Sequence, residues 1–254
     1  MDPIPSQVIA ALGTLNDPYL NQDLVKAKII QEIALSERTI LVRLHYPYPI
    51  NIRISEIKQS VIETLTRSWP DYEVEVKITW KVKRHRVQEG VKQKLGIKNI
   101  IAVASGKGGV GKSTVAVNLA LALQAQGARV ALLDADIYGP SIPLLLGKRD
   151  LKAQTYQKKL IPIESFGLQS ISIGYLVGDD SPMVWRGPMV SQALQQLLNE
   201  TAWQECDYMI IDLPPGTGDI QLTMAQKLPI SGAVVITTPQ EMALIDAKIF
   251  YRSG

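Results

Sequence analysis

The sequence has little cysteine and little histidine for its length. A single cysteine, Cys206, occurs in 254 residues, which excludes a framework of internal disulfides and favours a reducing compartment, the cytoplasm. The two histidines, His45 and His85, lie far apart in the sequence. No Cys-x-x-Cys pair occurs anywhere. The composition therefore predicts no site for a metal or cluster that needs several thiolate or imidazole ligands.

Long apolar stretches and a strong net charge are also missing. No run of about 18 or more apolar residues occurs, so no segment is predicted to span a membrane. Residues 1–5 lack the basic and apolar regions of a secretion signal. The formal net charge of +3 is too small to argue for nucleic acid. We therefore expect a globular cytoplasmic protein without nucleic-acid or membrane partners.

A glycine-rich loop with two lysines stands between an apolar run, 100–104, and a helical pattern, 113–126. Glycines let the backbone turn sharply and aim its N–H groups at phosphate oxygens. The N-terminus of the following helix adds partial positive charge. In such a loop Lys112 reaches the β- and γ-phosphates and the Ser113 hydroxyl ligates Mg²⁺. The predicted ATP-binding residues are Gly106, Lys107, Gly108, Gly109, Val110, Gly111, Lys112, Ser113 and Thr114.

Carboxylates follow two other apolar runs. Asp134 and Asp136 come directly after the run 129–133, and Asp212 closes the run 208–211. Beside a phosphate-binding loop, an aspartate at the end of a buried strand is a usual anchor for Mg²⁺. The alternatives are helix capping by the first two aspartates and a plain turn after the third. We predict Ser113, Asp134 and Asp212 as the residues that support Mg²⁺.

The residue patterns divide the chain into two domains. Residues 1–80 are predicted to form a small α+β domain, with strands at 28–35, 39–46 and 73–80 and a helix at 54–69. Residues 81–98 carry seven basic residues against one glutamate. They are interpreted as a solvated linker, with a docking strip for an acidic partner as the alternative.

From residue 99 to 254 short apolar runs alternate with helical patterns. Continuous apolar runs such as 129–133, 208–211 and 233–236 are typical of parallel strands that are buried on both faces. Helices at 113–126 and 189–200 would supply the crossovers. This pattern predicts a doubly wound, mostly parallel α/β domain with its ligand at the carboxyl ends of the strands.

Several strings resemble known families. The doubled-lysine loop resembles the deviant Walker A group of ATPases, which includes MinD and ParA. More specifically, the chain resembles the Mrp/ApbC iron–sulfur cluster carriers, through Asp134–Ser141, Trp185–Val190, Asp212–Asp219, Gln221–Thr223 and Thr237–Glu241. The N-terminal domain resembles the small iron–sulfur assembly domain that is often fused ahead of such ATPases, through Asn16–Leu20 and Asp23–Val25.

The resemblance implies roles for individual residues. Lys107 would cross a face-to-face homodimer and touch the phosphates that are bound by the partner. Asp136 would orient or activate the attacking water, and Asp134 and Asp212 would support Mg²⁺ through its waters. Family members hold a [4Fe–4S] cluster at the dimer interface and deliver it to apoproteins. Lys107 and Asp136 are thus the predicted catalytic residues.

The chain also departs from that family. The family's Cys-x-x-Cys pair lies downstream of the Thr-Thr-Pro-Gln string, whereas this sequence ends at Gly254 without one. We therefore expect a C-terminally truncated carrier that lacks the cluster ligands, with Cys206 in a structural role. Tyr48 stands where family members commonly have a cysteine between two prolines, so the N-terminal domain is expected to have a docking or structural role. The alternatives are a MinD-like or ParA-like positioning ATPase and a non-catalytic adaptor.

Overall fold

The structure is a computed structural model, and it describes residues 2–85, 96–176, 187–216, 228–241 and 243–244. The chain forms two compact units, Met1–Lys83 and Arg84–Gly254. Most of the predicted linker, residues 86–95, lies outside the described residues. Its last two residues belong to the first strand of the second unit, which begins at Ile97.

The first unit is a three-stranded sheet covered by helices. Its sheet order is β1-β2-β3, with β1 and β2 antiparallel and β2 and β3 parallel. The α2 helix lies between the parallel strands in sequence and buries three residues at a spacing of four, Ile57, Val61 and Leu65. The elements are α1 (Pro5–Leu12), β1 (Ile30–Ser36), β2 (Thr39–Tyr46), α2 (Ile54–Ser68) and β3 (Glu73–Trp80).

The second unit is built on a six-stranded sheet with the order β11-β4-β10-β5-β9-β8. Its strands are parallel except β8, which runs antiparallel to β9. The elements are β4 (Ile97–Ser105), α3 (Lys112–Ala125), β5 (Val130–Asp134), α4 (Ile142–Leu145), β6 (Thr155–Tyr156), β7 (Lys159–Leu160), β8 (Ile163–Ser165), β9 (Leu168–Ser172), α5 (Gly187–Glu200), β10 (Cys206–Asp212) and β11 (Gly232–Ile236).

The predicted doubly wound, mostly parallel α/β fold is confirmed. Side chains of β4, β5 and β10 pack into two apolar clusters, one on each face of the sheet. These strands read as continuous apolar runs because both of their faces are covered. None of the described helices is long and apolar enough to cross a membrane.

Strand β11 differs from the prediction of burial on both faces. Within the described residues it pairs only with β4, so it lies at an edge of the sheet. Its five residues are half-buried or exposed. The apolar run 233–236 was therefore correctly read as a strand but wrongly as a fully covered one, because local composition does not distinguish an edge from the centre of a sheet.

A tight hairpin joins β8 to β9. Ser165 pairs with Leu168, and the two residues between them, Phe166 and Gly167, have φ angles of 51° and 75°. Positive φ at both central positions is what a type I′ turn requires. A Cβ on Gly167 would lie 2.6 Å from Nε2 of Gln124, so a larger residue there would also have to displace that side chain.

Candidate nucleotide-binding site

The phosphate-binding loop connects β4 to α3 at the carboxyl edge of the six-stranded sheet. The strand ends at Ser105 and the helix begins at Lys112. Gly109 and Gly111 have φ angles of 78° and 87°, in the left-handed region that favours glycine. The loop therefore turns directly into the N-terminus of α3, whose first N–H groups are available to an anion.

The Lys112 side chain is at the centre of the site. Its Nζ lies 2.6 Å from Oδ1 of Asp212, 3.8 Å from Oδ2 of Asp136 and 3.3 Å from Oγ of Ser113. The lysine is buried, as are both aspartates. Four of the residues that the sequence assigned to ATP, Mg²⁺ or the attacking water thus lie within one small volume.

Two carboxylates, those of Asp136 and Asp212, face that single ammonium group, and a third, that of Asp134, lies beside Asp212. Asp134 and Asp212 are paired in register at the ends of the neighbouring strands β5 and β10. Burial, with a further contribution from the Asp212 carboxylate, raises the pKa of Asp134 to about 7. Burial also raises the pKa of Asp136, although the Lys112 ammonium acts in the opposite direction. Negative charge is therefore concentrated here, as a site for a divalent cation requires.

Oδ2 of Asp212 is buried and accepts no hydrogen bond from the described part of the chain. A buried carboxylate oxygen without a donor is costly, and few remain in native proteins. Mg²⁺ is usually held by one or two carboxylates together with phosphate oxygens and waters, so this oxygen fits the ion or one of its waters. Within the described ranges no cluster of three or more His, Cys, Asp or Glu residues forms a complete metal cage.

Asp134 differs from Asp212 because donors of the chain occupy both of its oxygens. Oδ1 accepts from the Asp136 backbone N–H at 3.1 Å. Oδ2 accepts from the Ile142 N–H at 3.1 Å and from the Ser172 hydroxyl at 3.0 Å. Asp136 itself accepts from the Gly139 N–H at 3.2 Å. The loop after β5 is thus held at both of its ends by one carboxylate.

Backbone hydrogen bonds connect the three loops at this edge. The Gly216 N–H donates to the Ser105 carbonyl at 2.8 Å, which ties the loop after β10 to the start of the phosphate-binding loop. The Ala135 N–H donates to the Asp212 carbonyl at 2.9 Å, which ties the loop after β5 to the end of β10. The relative positions of the site residues are therefore set by the sheet.

Lys107 lies at the exposed tip of the loop. Its carbonyl accepts from the Ser105 hydroxyl at 2.9 Å, so its backbone is anchored while its side chain is exposed. Gly108, Gly109, Gly111 and Thr114 are exposed as well. Of the other predicted ATP-binding residues, Lys112 is buried and three are half-buried: Gly106, Val110 and Ser113.

Cys206 lies at the opposite, amino-terminal end of β10 and is buried. Its thiol donates to the Gln204 carbonyl at 3.1 Å and lies 3.5 Å from Nε2 of Gln169. Burial raises the pKa of this thiol to about 11. A thiol that is held neutral and enclosed does not fit the role of a cluster ligand, which has to be a thiolate.

Some of the strings that carry the resemblance lie outside the described residues. They include Trp185, Arg186 and residues 217–227. That last range contains Asp219 and the string 221–223. Conversely, the structure adds Ser172, which sequence reasoning missed. Its strand has three polar residues in five and was not recognised as buried.

Two family models match the chain, one in each unit. A family model described as ParA, NUBPL iron-transfer P-loop NTPase, matches residues 96–251. The chain belongs to the NUBPL iron-transfer P-loop NTPase family. A second family model, described as an iron-sulfur cluster assembly protein, matches residues 5–78. The resemblance to iron–sulfur cluster carriers that was drawn from the sequence is thereby confirmed.

Curated relatives of this NTPase are named as carriers of iron–sulfur clusters. A protein named iron-sulfur cluster carrier protein from Salmonella typhimurium is 48% identical over 251 residues, which cover 97% of this chain and 67% of the relative. One of the same name from Synechocystis is 42% identical and covers 97% of this chain and 72% of the relative. The chain spans about two thirds of the length of these relatives.

A solved structure shares the fold of the NTPase unit. The nucleotide-binding protein from Archaeoglobus fulgidus, determined in complex with ADP, is 39% identical with a TM-score of 0.53. The match covers 62% of this chain and 63% of that protein.

Proposed function

We propose that this chain binds Mg·ATP at residues 106–114 and hydrolyses ATP as the nucleotide-driven part of an iron–sulfur cluster carrier. The observation that supports the proposal is the convergence of the Lys112 ammonium with the Asp136 and Asp212 carboxylates beside a loop with left-handed glycines. An ammonium and a helix N-terminus favour the triphosphate, and the carboxylates favour the cation that accompanies it.

The chain's residues divide the work of hydrolysis. When bound, Mg²⁺ neutralises charge on the β- and γ-phosphates. The Ser113 hydroxyl and the open oxygen of Asp212 would hold the ion, with Asp134 acting through its waters. Asp136, whose Oδ2 lies 3.8 Å from Lys112 Nζ, would orient the attacking water and accept its hydrogen bond. Lys112 would hold the phosphates.

We further propose that hydrolysis takes place in a homodimer, with Lys107 of each copy reaching the phosphates that are bound by the other. The exposed position of Lys107 supports this role, because a group supplied to a second copy has to project from the surface. A cation supplied in trans contributes about 10³–10⁵ to the rate in nucleotide hydrolases where this has been measured.

The cargo and its recipients are carried over from the family. We propose that a [4Fe–4S] cluster is the cargo and that apoproteins receive it, as the relatives named iron-sulfur cluster carrier protein suggest. No cluster ligand is assigned to these 254 residues, because Cys206 is their one cysteine and its thiol is buried.

The proposal is tested by measuring nucleotide binding and turnover on the same preparations. Calorimetry with Mg·ATP should show saturable binding to the wild-type chain and a loss of about 100-fold or more in Lys112→Ala, since about 3 kcal/mol of phosphate contact is removed. Absence of heat on mixing Mg·ATP with the folded wild-type chain would overturn the proposal.

The dimer mechanism is tested separately with Lys107→Ala. This variant should keep its ATP affinity and lose most of its hydrolysis, about 10³-fold or more. Lys159→Ala, which removes an exposed lysine in β7 of the same unit, is the matched control and should hydrolyse ATP at the wild-type rate. Equal rates in Lys107→Ala and in the wild type would exclude a role in trans for Lys107.

A further inference from the structure

The strand next to β5 contributes a hydroxyl to the site. Ser172 is the last residue of β9, is fully buried and is paired in register with Asp134. Its Oγ lies 3.0 Å from Oδ2 of Asp134. The Ser172 Oγ itself accepts from the Gly174 N–H at 3.1 Å. Because that N–H can only donate, the single hydroxyl proton is directed at the carboxylate.

The Asp134 carboxylate in turn holds the backbone on both sides of Asp136. Its Oδ1 receives the Asp136 N–H and its Oδ2 receives the Ile142 N–H, both at 3.1 Å. The loop between those two donors carries the Asp136 carboxylate, whose Oδ2 faces Lys112 at 3.8 Å. The rotamer of Asp134 therefore sets the backbone from which Asp136 projects.

We infer that Ser172 is a positioning residue for ATP hydrolysis, which acts through Asp134 to hold Asp136 in place for the attacking water. The inference rests on the proposed function. Without the hydroxyl, the Asp134 carboxylate keeps the Asp136 and Ile142 N–H donors but loses its one side-chain donor, so its terminal torsion, which is intrinsically broad, is less tightly held. Misplacement of a catalytic group by about 1 Å costs about 100-fold in rate, so even a partial loss of restraint is measurable.

The same strand offers a matched control. Ser170 lies two residues earlier on the same face, is fully buried, and has its Oγ 2.9 Å from the Ile163 carbonyl and 3.2 Å from the Tyr175 hydroxyl. Its replacement by alanine removes a buried hydroxyl from β9 whose partners are Ile163 and Tyr175 and not Asp134. A loss of kcat that is common to both variants reports on the strand. A loss of kcat that is specific to the Ser172 variant reports on the site.

The experiment compares Ser172→Ala, Ser172→Thr and Ser170→Ala with the wild-type chain. Ser172→Ala should lower kcat about tenfold or more, while KM and the Kd for Mg·ATP stay within about twofold. Ser172→Thr, which keeps a hydroxyl, should restore kcat to within about threefold of the wild type. Ser170→Ala should shift the unfolding midpoint by an amount similar to Ser172→Ala and leave kcat unchanged.

Hydrogen exchange provides a readout that does not depend on turnover. The amides of Asp136 and Ile142 should exchange faster in Ser172→Ala than in Ser170→Ala, since both donate to the released carboxylate. Equal kcat in the two alanine variants, or equal exchange at these amides, would overturn the inference while the proposed function stands. A folded wild-type chain without ATPase activity would instead overturn the proposed function and this inference with it.

Discussion

Strand β10 carries a buried aspartate at each end, and the two carboxylates differ in how many of their oxygens accept a hydrogen bond. Asp207, at the amino end, is 4% exposed, and Asp212, at the carboxyl end, is fully buried. Asp207 accepts from Lys98 Nζ at 2.6 Å and from the Arg129 N–H at 3.0 Å, one donor on each oxygen. Asp212 accepts from Lys112 Nζ on one oxygen, and the other has no donor within the described residues.

The comparison shows that partners, and not burial, separate a structural carboxylate from one available to a ligand. Burial alone would raise the pKa of Asp207, but the hydrogen bonds and charges of Lys98 and Arg129 outweigh it and hold the pKa below its usual value. At the other end of the strand, Oδ2 of Asp212 accepts no hydrogen bond within the described residues and is therefore available to a cation or one of its waters. Paired substitutions should separate these two roles.

The largest effect is expected from Asp212→Asn. Loss of the carboxylate should lower kcat for ATP hydrolysis by about 10²–10³, the range seen when one charge-stabilising group is removed from an active site. The free energy of unfolding should change by less than about 1 kcal/mol, because Asp136 stays beside the Lys112 ammonium and the repulsion of Asp212 with Asp134 and Asp136 is relieved as its attraction to Lys112 is lost. Steady-state kinetics and urea unfolding on one preparation check both. If Asp212→Asn lost more stability than Asp207→Asn, the proposed division into a ligand-binding and a structural aspartate would be wrong.

Asp207→Asn should give the reverse result. We expect a loss of about 1.5–3 kcal/mol in the free energy of unfolding, the range for hydrogen bonds to a charged group, with unchanged kcat. Since the pKa of Asp207 is lowered by folding, its ionised form contributes stability above the unfolded value of 3.8, and that contribution is lost as the pH falls through the folded value. The gap between wild type and variant in urea unfolding should therefore stay constant down to about pH 5 and narrow as the pH falls through 3.8 and below. A gap that stays constant with pH would contradict the assignment.

The smallest effect is expected from Glu205→Gln, at the exposed rim of the same network. Glu205 lies 3.2 Å from the Arg129 guanidinium, but the two side chains are 76% and 54% exposed. Solvent screening limits such a pair to about 0–1 kcal/mol. Urea unfolding should show a difference below about 0.5 kcal/mol that disappears at about 1 M salt, where the Debye length is about 3 Å. A larger loss would mean that the rim, as well as Asp207, stabilises this end of the sheet.

Much of the fold could be predicted because local pattern and final environment agree. Strands β2 and β3 occupy the predicted residues 39–46 and 73–80, and the exposure of their side chains alternates from one residue to the next. Strand β9 was not predicted, because three of its five residues, Gln169, Ser170 and Ser172, are polar. Gln169 and Ser172 are nevertheless buried against partners far along the chain, which are the Gln204 N–H and the Asp134 carboxylate. Such partners leave no signal in a local window.

The residues of the site could be predicted to a similar extent. The loop 106–114 and the three aspartates are local motifs, and the rule that parallel strands present their carboxyl ends together correctly brings Lys112 to Asp212 across 100 residues. Which carboxylate oxygen lacks a donor depends on side-chain geometry, and the Ser172 contact depends on the register of a strand that the sequence did not reveal.

The hairpin that precedes β9 is tied to the helix that follows the phosphate-binding loop. A two-residue turn with positive φ at Phe166 and Gly167 admits one alignment of β8 with β9, and a side chain at Gly167 would have to displace Gln124 of α3. A slip of β9 by one position against β5 would send the Ser172 hydroxyl to the other face of the strand, away from Asp134. The packing of Gln124 against Gly167 opposes such a slip, so an exposed corner of the protein, five residues from that serine, bears on its nucleotide chemistry.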